Sequence, residues 1–113
     1  MKLLIDEAKV EHALTILADK EGAGAAARAS HEYERERLKV MKAKLMMKSL
    51  ASSQAAKEME AIAHPDYTAQ LRHIEEIAEQ DYHNRDRRQA AQAIIDIWRT
   101  ESATNRTFGK AAQ

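Results

Sequence analysis

DYTAQLRHIEEIAEQDYHNRDRRQAAQAIIDIWRTESATNRTF, residues 66–108, contains neither glycine nor proline. Its apolar residues recur at helical spacing: Tyr67, Leu71, Ile74, Ala78 and Tyr82 form one stripe, and Ala91, Ile94, Ile95 and Trp98 form a second. Pro65 suits the first position of a helix, where its missing N–H is not needed, and Asp66 complements the positive end of the helix dipole. About 40 helical residues at 1.5 Å each span about 60 Å, longer than a compact domain of this size is wide. A helix of that length needs partners along it. Between the stripes lies the polar run from Glu79 to Gln89, with Tyr82 as its one large apolar group. It reads either as an exposed stretch of one helix or as a polar layer that sets register inside an intersubunit coiled coil.

Working outward, His64-Pro65 ends a short helix over Gln54–Ala63, because the residue before proline is pushed out of helical space. Ala55, Met59 and Ile62 share one side of that helix, and Ser52-Ser53 supplies a turn or a fresh N-cap. A helix from Ala25 to about Leu50–Ser53 carries Leu38, Met41, Leu45 and Met46. A first helix from about Leu4 to Lys20 has a short stripe of Ile5, Ala8, Ala13, Ile16 and Leu17. Glu21-Gly22-Ala23-Gly24 separates these two, since glycine costs about 1 kcal/mol relative to alanine inside a helix.

Composition agrees with this pattern. Ala, Glu, Lys, Leu and Arg account for 60 of 113 residues, and Val, Ile and Thr for 15, with no Asn-Gly or Asp-Gly hairpin signal. Of the apolar residues 22 are alanine, which leaves a thin core for one chain. Self-association is the natural way to complete it. The fold expected is all-α: a helical hairpin or bundle with one long C-terminal helix, in a coiled-coil-like homo-oligomer. Residues 1–113 read as one domain, with 1–24 as a possible N-terminal arm and 25–113 as the helical core. The oligomer interface is expected on Leu71, Ile74, Tyr82, Ile94, Ile95 and Trp98.

No stretch approaches the roughly 20 apolar residues of a membrane span, and Met1-Lys2-Leu3-Leu4-Ile5-Asp6 is too short for a signal peptide. A cytoplasmic protein without a membrane partner is expected. The absence of cysteine excludes disulfides, thiolate metal sites and cysteine nucleophiles. His12, His31, His64, His73 and His83 are scattered, without H-x-x-x-H or the Glu-x-x-His pairs of di-iron bundles. Glu79 with His83 and Glu60 with His64 are only two-ligand starts. There is no G-x-S-x-G and no glycine-rich phosphate loop. No catalytic residue, metal or cofactor is expected.

The zero net charge hides segregation: −3 over residues 1–34, +5 over 35–48, −5 over 49–84 and +3 over 85–113. The basic block is Arg35, Arg37, Lys39, Lys42, Lys44 and Lys48 against Glu36 alone. Arg35, Lys39 and Lys42 share one side of a helix, while Lys44 and Lys48 lie near another. These side chains can pair with the acidic 58–81 stretch of the same or a neighbouring chain, or contact nucleic-acid phosphates. A ring of subunits would join such patches into a track for a single strand. Arg85, Arg87 and Arg88, with Arg99, Arg106 and Trp98 nearby, form a second candidate surface, although the spacing of Trp98 from Ile94 and Ile95 suits a core role better than base stacking.

The order of a basic helix (Tyr33 to Leu45), a short middle helix and a long helix closing on Ile94-Ile95-Asp96-Ile97-Trp98-Arg99-Thr100-Glu101-Ser102-Ala103 resembles the small helical recombination-mediator proteins of tailed phages. The resemblance is one of pattern, covers about residues 31–106 and leaves 1–24 outside. It implies a non-enzymatic accessory protein of DNA recombination that binds single-stranded DNA as an oligomer and helps load a strand-exchange protein where a single-strand-binding protein blocks access. A recombinase or single-strand-binding protein would then be a partner. A protein-only helical scaffold or regulatory module is the alternative, and the acidic 49–84 stretch favours it.

Overall fold

A computed structural model describes residues 4–111. It holds four helices, α1 (Glu7–Ala18), α2 (Ala23–Lys48), α3 (Gln54–Ala63) and α4 (Pro65–Ala111), and no strand among the described residues. Each boundary has a local cause. The Asp6 carboxylate accepts the Lys9 N–H at 2.8 Å, so α1 begins after Asp6 rather than at Leu4. It ends where Asp19 turns left-handed (φ 45°, ψ 47°) and Gly22 donates its N–H to the Asp19 carbonyl at 2.8 Å. Gly22 itself holds φ +71°, a conformation open to a residue without Cβ, whereas Gly24 already lies inside α2. Ser53 caps α3 by accepting the Ala56 N–H at 3.1 Å. The extended His64 (φ −67°, ψ 137°) separates α3 from Pro65, as its place before a proline requires.

The contacts group the chain into two units, Met1–Ala23 with His83–Gln113, and Gly24–Tyr82. Residues 1–3 of the expected N-terminal arm lie outside the described residues. In the first unit α1 runs antiparallel to the C-terminal part of α4. Val10 and Ala13 meet Ala91 and Ile95, and Ile5, Ile16, Leu17, Ile94 and Trp98 pack around them. The alanines bring the two helix backbones close, and Ile95, 4% exposed, supplies the bulk. Two charged side chains of α4 hold α1 and the segment leading into it: the Glu101 carboxylate accepts the Leu4 N–H (3.0 Å) and the Ile5 N–H (3.3 Å) just before the Asp6 cap, and Arg88 Nη1 donates to the Leu17 carbonyl (3.1 Å) in the last turn. Anion at the N-terminal end and cation at the C-terminal end both match the helix dipole. Three of the residues expected at an oligomer interface lie in this cluster. Ile95 is covered by the chain's own α1, and Ile94 and Trp98 pack on the same cluster, so these three serve an intrachain core.

In the second unit α2, α3 and the start of α4 fold together. The row of α2 that turns inward is His31, Glu34, Leu38, Met41 and Leu45, and that of α4 is Gln70, Ile74, Ile77 and Asp81, both at alternating three- and four-residue steps. Two of the residues in each row are polar, and they satisfy one another. His31 Nδ1 and Asp81 Oδ2 share a hydrogen bond at 2.8 Å, and Gln70 Nε2 donates to Glu34 Oε2 at 2.6 Å and to the Glu34 carbonyl at 3.1 Å. The Tyr82 ring stands edge-on to His31 with centroids 5.5 Å apart. A buried carboxylate costs several kcal/mol unless it is paired and hydrogen-bonded, which is what these contacts provide. The polar run Glu79–Gln89 thus contributes a buried residue, Asp81, but its partner is His31 of the same chain.

Candidate nucleic-acid interface

Helix α2 positions the basic block. About 100° per residue places Lys42, Arg35 and Lys39 along one border of its buried row, and Arg37, Lys44 and Lys48 along the other. Lys42 is tied to another helix: its ammonium meets Glu58 Oε1 of α3 at 2.6 Å. That hydrogen bond raises the Lys42 pKa above its ordinary value; partial desolvation opposes the rise, and the charge of Glu58 adds to it. Intrachain pairing with the acidic stretch, one of the two uses open to the block, is therefore realised at Lys42.

The other five stay exposed, and none of them pairs with another helix among the described residues. Arg37 lies 3.7 Å from Glu34, and Lys39 lies 2.9 Å from Glu36, each three residues away on α2 itself. Arg35, Lys44 and Lys48 make no ion pair among the described residues. Exposed pairs of the Lys39–Glu36 kind are worth under about 1 kcal/mol, so a phosphate oxygen can displace the glutamate.

The second basic surface divides. Arg88, expected to contact nucleic acid, is exposed and donates through Nη1 to the Leu17 carbonyl in the last turn of α1. Arg87 is exposed, and Arg85 is exposed but already engaged within the chain. Trp98 is half-buried against the α1–α4 core rather than presented for stacking.

The side chains that could suggest chemistry have structural partners. Ser49 Oγ donates to Glu60 and accepts the Ala51 N–H, which closes the α2–α3 turn. His64 Nδ1 accepts the Asp66 N–H at 3.0 Å, at the first turn of α4. With Leu45, Lys48 and Ala61, residues Ser49, Glu60 and His64 line a shallow open groove. No group of three or more His, Asp or Glu side chains among the described residues could hold a metal ion. No helix there is long and apolar enough to cross a membrane.

Sequence reasoning left the exposed apolar groups of α2 and α3 unassigned. Met59 and Ile62 of α3, 73% and 45% exposed, face away from Ala61, the residue α3 buries. Leu71 and Tyr82, two of the expected interface positions, are likewise exposed, whereas Ile74 is half-buried in the inward row. On α2, Tyr33, Val40 and Met47 recur at seven-residue steps and are 66%, 53% and 85% exposed. The seven-residue step was the available signal, hidden by the charged residues around it. No protein-family model matches the chain, and no curated protein or solved structure is significantly similar to it.

Proposed function

We propose that this chain is a non-enzymatic helical accessory protein of DNA recombination, which binds single-stranded DNA as an oligomer and assists a strand-exchange protein. One observation carries the binding: five of the six basic side chains of α2 are exposed, and none of the five is tied to a neighbouring helix among the described residues. Arg35 and Lys39, one turn apart on the same side, are the pair best placed to follow a phosphate backbone. Arg87, exposed on α4 in the other unit, is a separate candidate contact. Recombination as the setting comes from the resemblance to phage recombination mediators, and a recombinase or single-strand-binding protein is the partner it implies.

The test is a fluorescence-anisotropy titration with a labelled single-stranded oligonucleotide over a range of salt. Affinity should fall steeply as salt rises, and Arg35→Ala with Lys39→Ala should lower the log–log salt slope by about 1.4, at about 0.7 per phosphate contact on a single strand. An unchanged slope and affinity in that variant would remove this side of α2 from the binding surface. A protein-only interaction module is the second reading, supported by the exposed row Tyr33, Val40 and Met47. It requires no oligonucleotide affinity at about 150 mM salt, where contacts of this kind still bind measurably.

A further inference from the structure

Two apolar rows in the unit Gly24–Tyr82, exposed apart from the half-buried Ala78, carry opposite charge along one border. On α2 the row Tyr33, Val40 and Met47 is bordered by Arg37, Lys44 and Lys48, all exposed. Seven-residue steps keep a row on one side of a helix, and they are the steps at which helices pack in coiled coils. On α4 the row is Leu71, Ala78 and Tyr82, bordered by Glu75 and Glu79, and Glu75, Ala78, Glu79 and Tyr82 also line a shallow groove with Glu76. Neither row belongs to the inward-facing rows of its helix.

We propose that α2 of one copy packs its Tyr33–Val40–Met47 row against the Leu71–Tyr82 row of α4 in a second copy, with Arg37 and Lys44 meeting Glu75 and Glu79 across the seam. Charge chooses the occupant. Packing α2 on α2 would set Arg37 and Lys44 against the same residues of the other copy, and packing α4 on α4 would oppose Glu75 and Glu79 to themselves, whereas α2 on α4 pairs unlike charges. The pairing leaves Arg35 and Lys39, on the far border of α2, open to a phosphate backbone. This inference rests on the oligomer in the reading above and gives that oligomer a surface.

The experiment uses light scattering on the full chain and two charge-reversed variants, Arg37→Glu with Lys44→Glu, and Glu75→Lys with Glu79→Lys. Wild type at about 100 µM should show a mass above one chain. Each variant should keep its helical circular dichroism, associate at least tenfold more weakly, and regain the wild-type mass when mixed with the other, because each then offers the charge the other needs. As a second measurement, Val40→Cys and Leu71→Cys chains are mixed and oxidised, a clean test in a protein without cysteine. A Val40→Cys to Leu71→Cys cross-link supports the seam, and cross-links within like chains alone overturn it. Variants that keep the wild-type mass, or a mixture that stays monomeric, overturn the surface while leaving an oligomer in place. A monomeric wild type overturns both surface and oligomer, while the anisotropy titration judges DNA binding separately.

Discussion

Replacing Ile95 with alanine tests whether α1 is held by packing on α4. Ile95 is 4% exposed and meets Val10, Ala13 and Ala91. The substitution removes three carbons at about 0.8 kcal/mol each, and a partly collapsed cavity brings the loss to about 3 kcal/mol. For a chain of this size each kcal/mol is worth several degrees, so the melting temperature should fall by about 10–20 °C. The loss should concentrate where the residue acts. In native-state hydrogen exchange the amides of Val10 and Ala13 should lose protection before those around His31, in the other unit. Ile97, two residues on and 45% exposed, is the control, and its alanine variant should lose no more than about 0.5 kcal/mol. Equal losses at Ile95 and Ile97, or unchanged protection of α1 in the Ile95 variant, would refute this account of the core.

Two further predictions concern charge. Glu58 raises the pKa of Lys42, so the pair contributes in full below the ordinary lysine value near 10.5, and its contribution is lost as pH climbs through the higher folded value. Thermal melts followed from about pH 9 to 12 should therefore show a shallower alkaline decline in Lys42→Met than in wild type. Glu101→Ala should cost about 1 kcal/mol by releasing the Leu4 and Ile5 amides just before α1, read as faster exchange of those amides, and Arg88→Ala should fray the last turn of α1, read as faster exchange confined to that turn.

Helix content was legible because it depends on local features: two glycines near 22–24, a serine pair at 52–53, and one proline at 65. Which side of each helix turns inward was less legible. The inward row of α4 begins Gln70, Ile74, Ile77, Asp81; of the residues expected together at an interface between copies, Ile74 lies in that row, while Leu71 and Tyr82 lie outside it. On α3, Ala61 is buried and Met59 is not. A polar residue reads as inward only once its partner is known, and Gln70 and Asp81 find theirs about 36 and 50 residues away, at Glu34 and His31. The candidate interface divides similarly. The basic block of α2 is plain in the sequence, but that Lys42 is taken by Glu58 and Arg88 by α1 depends on distant neighbours.

The two residues that hold the ends of α1 also act as a caliper. Arg88 and Glu101 stand 13 positions apart on a continuous helix, a rise of about 20 Å, and the 12 residues of α1 fill about 18 Å between them. One turn added to or deleted from α1 would leave one jaw empty, and sliding α1 along α4 would open both. Length and register of α1 are thus gauged by α4. Sequence drift in this region should accumulate as substitutions on the outer side of α1, and insertions should be tolerated in the connection around Lys20 and Glu21 rather than within the helix.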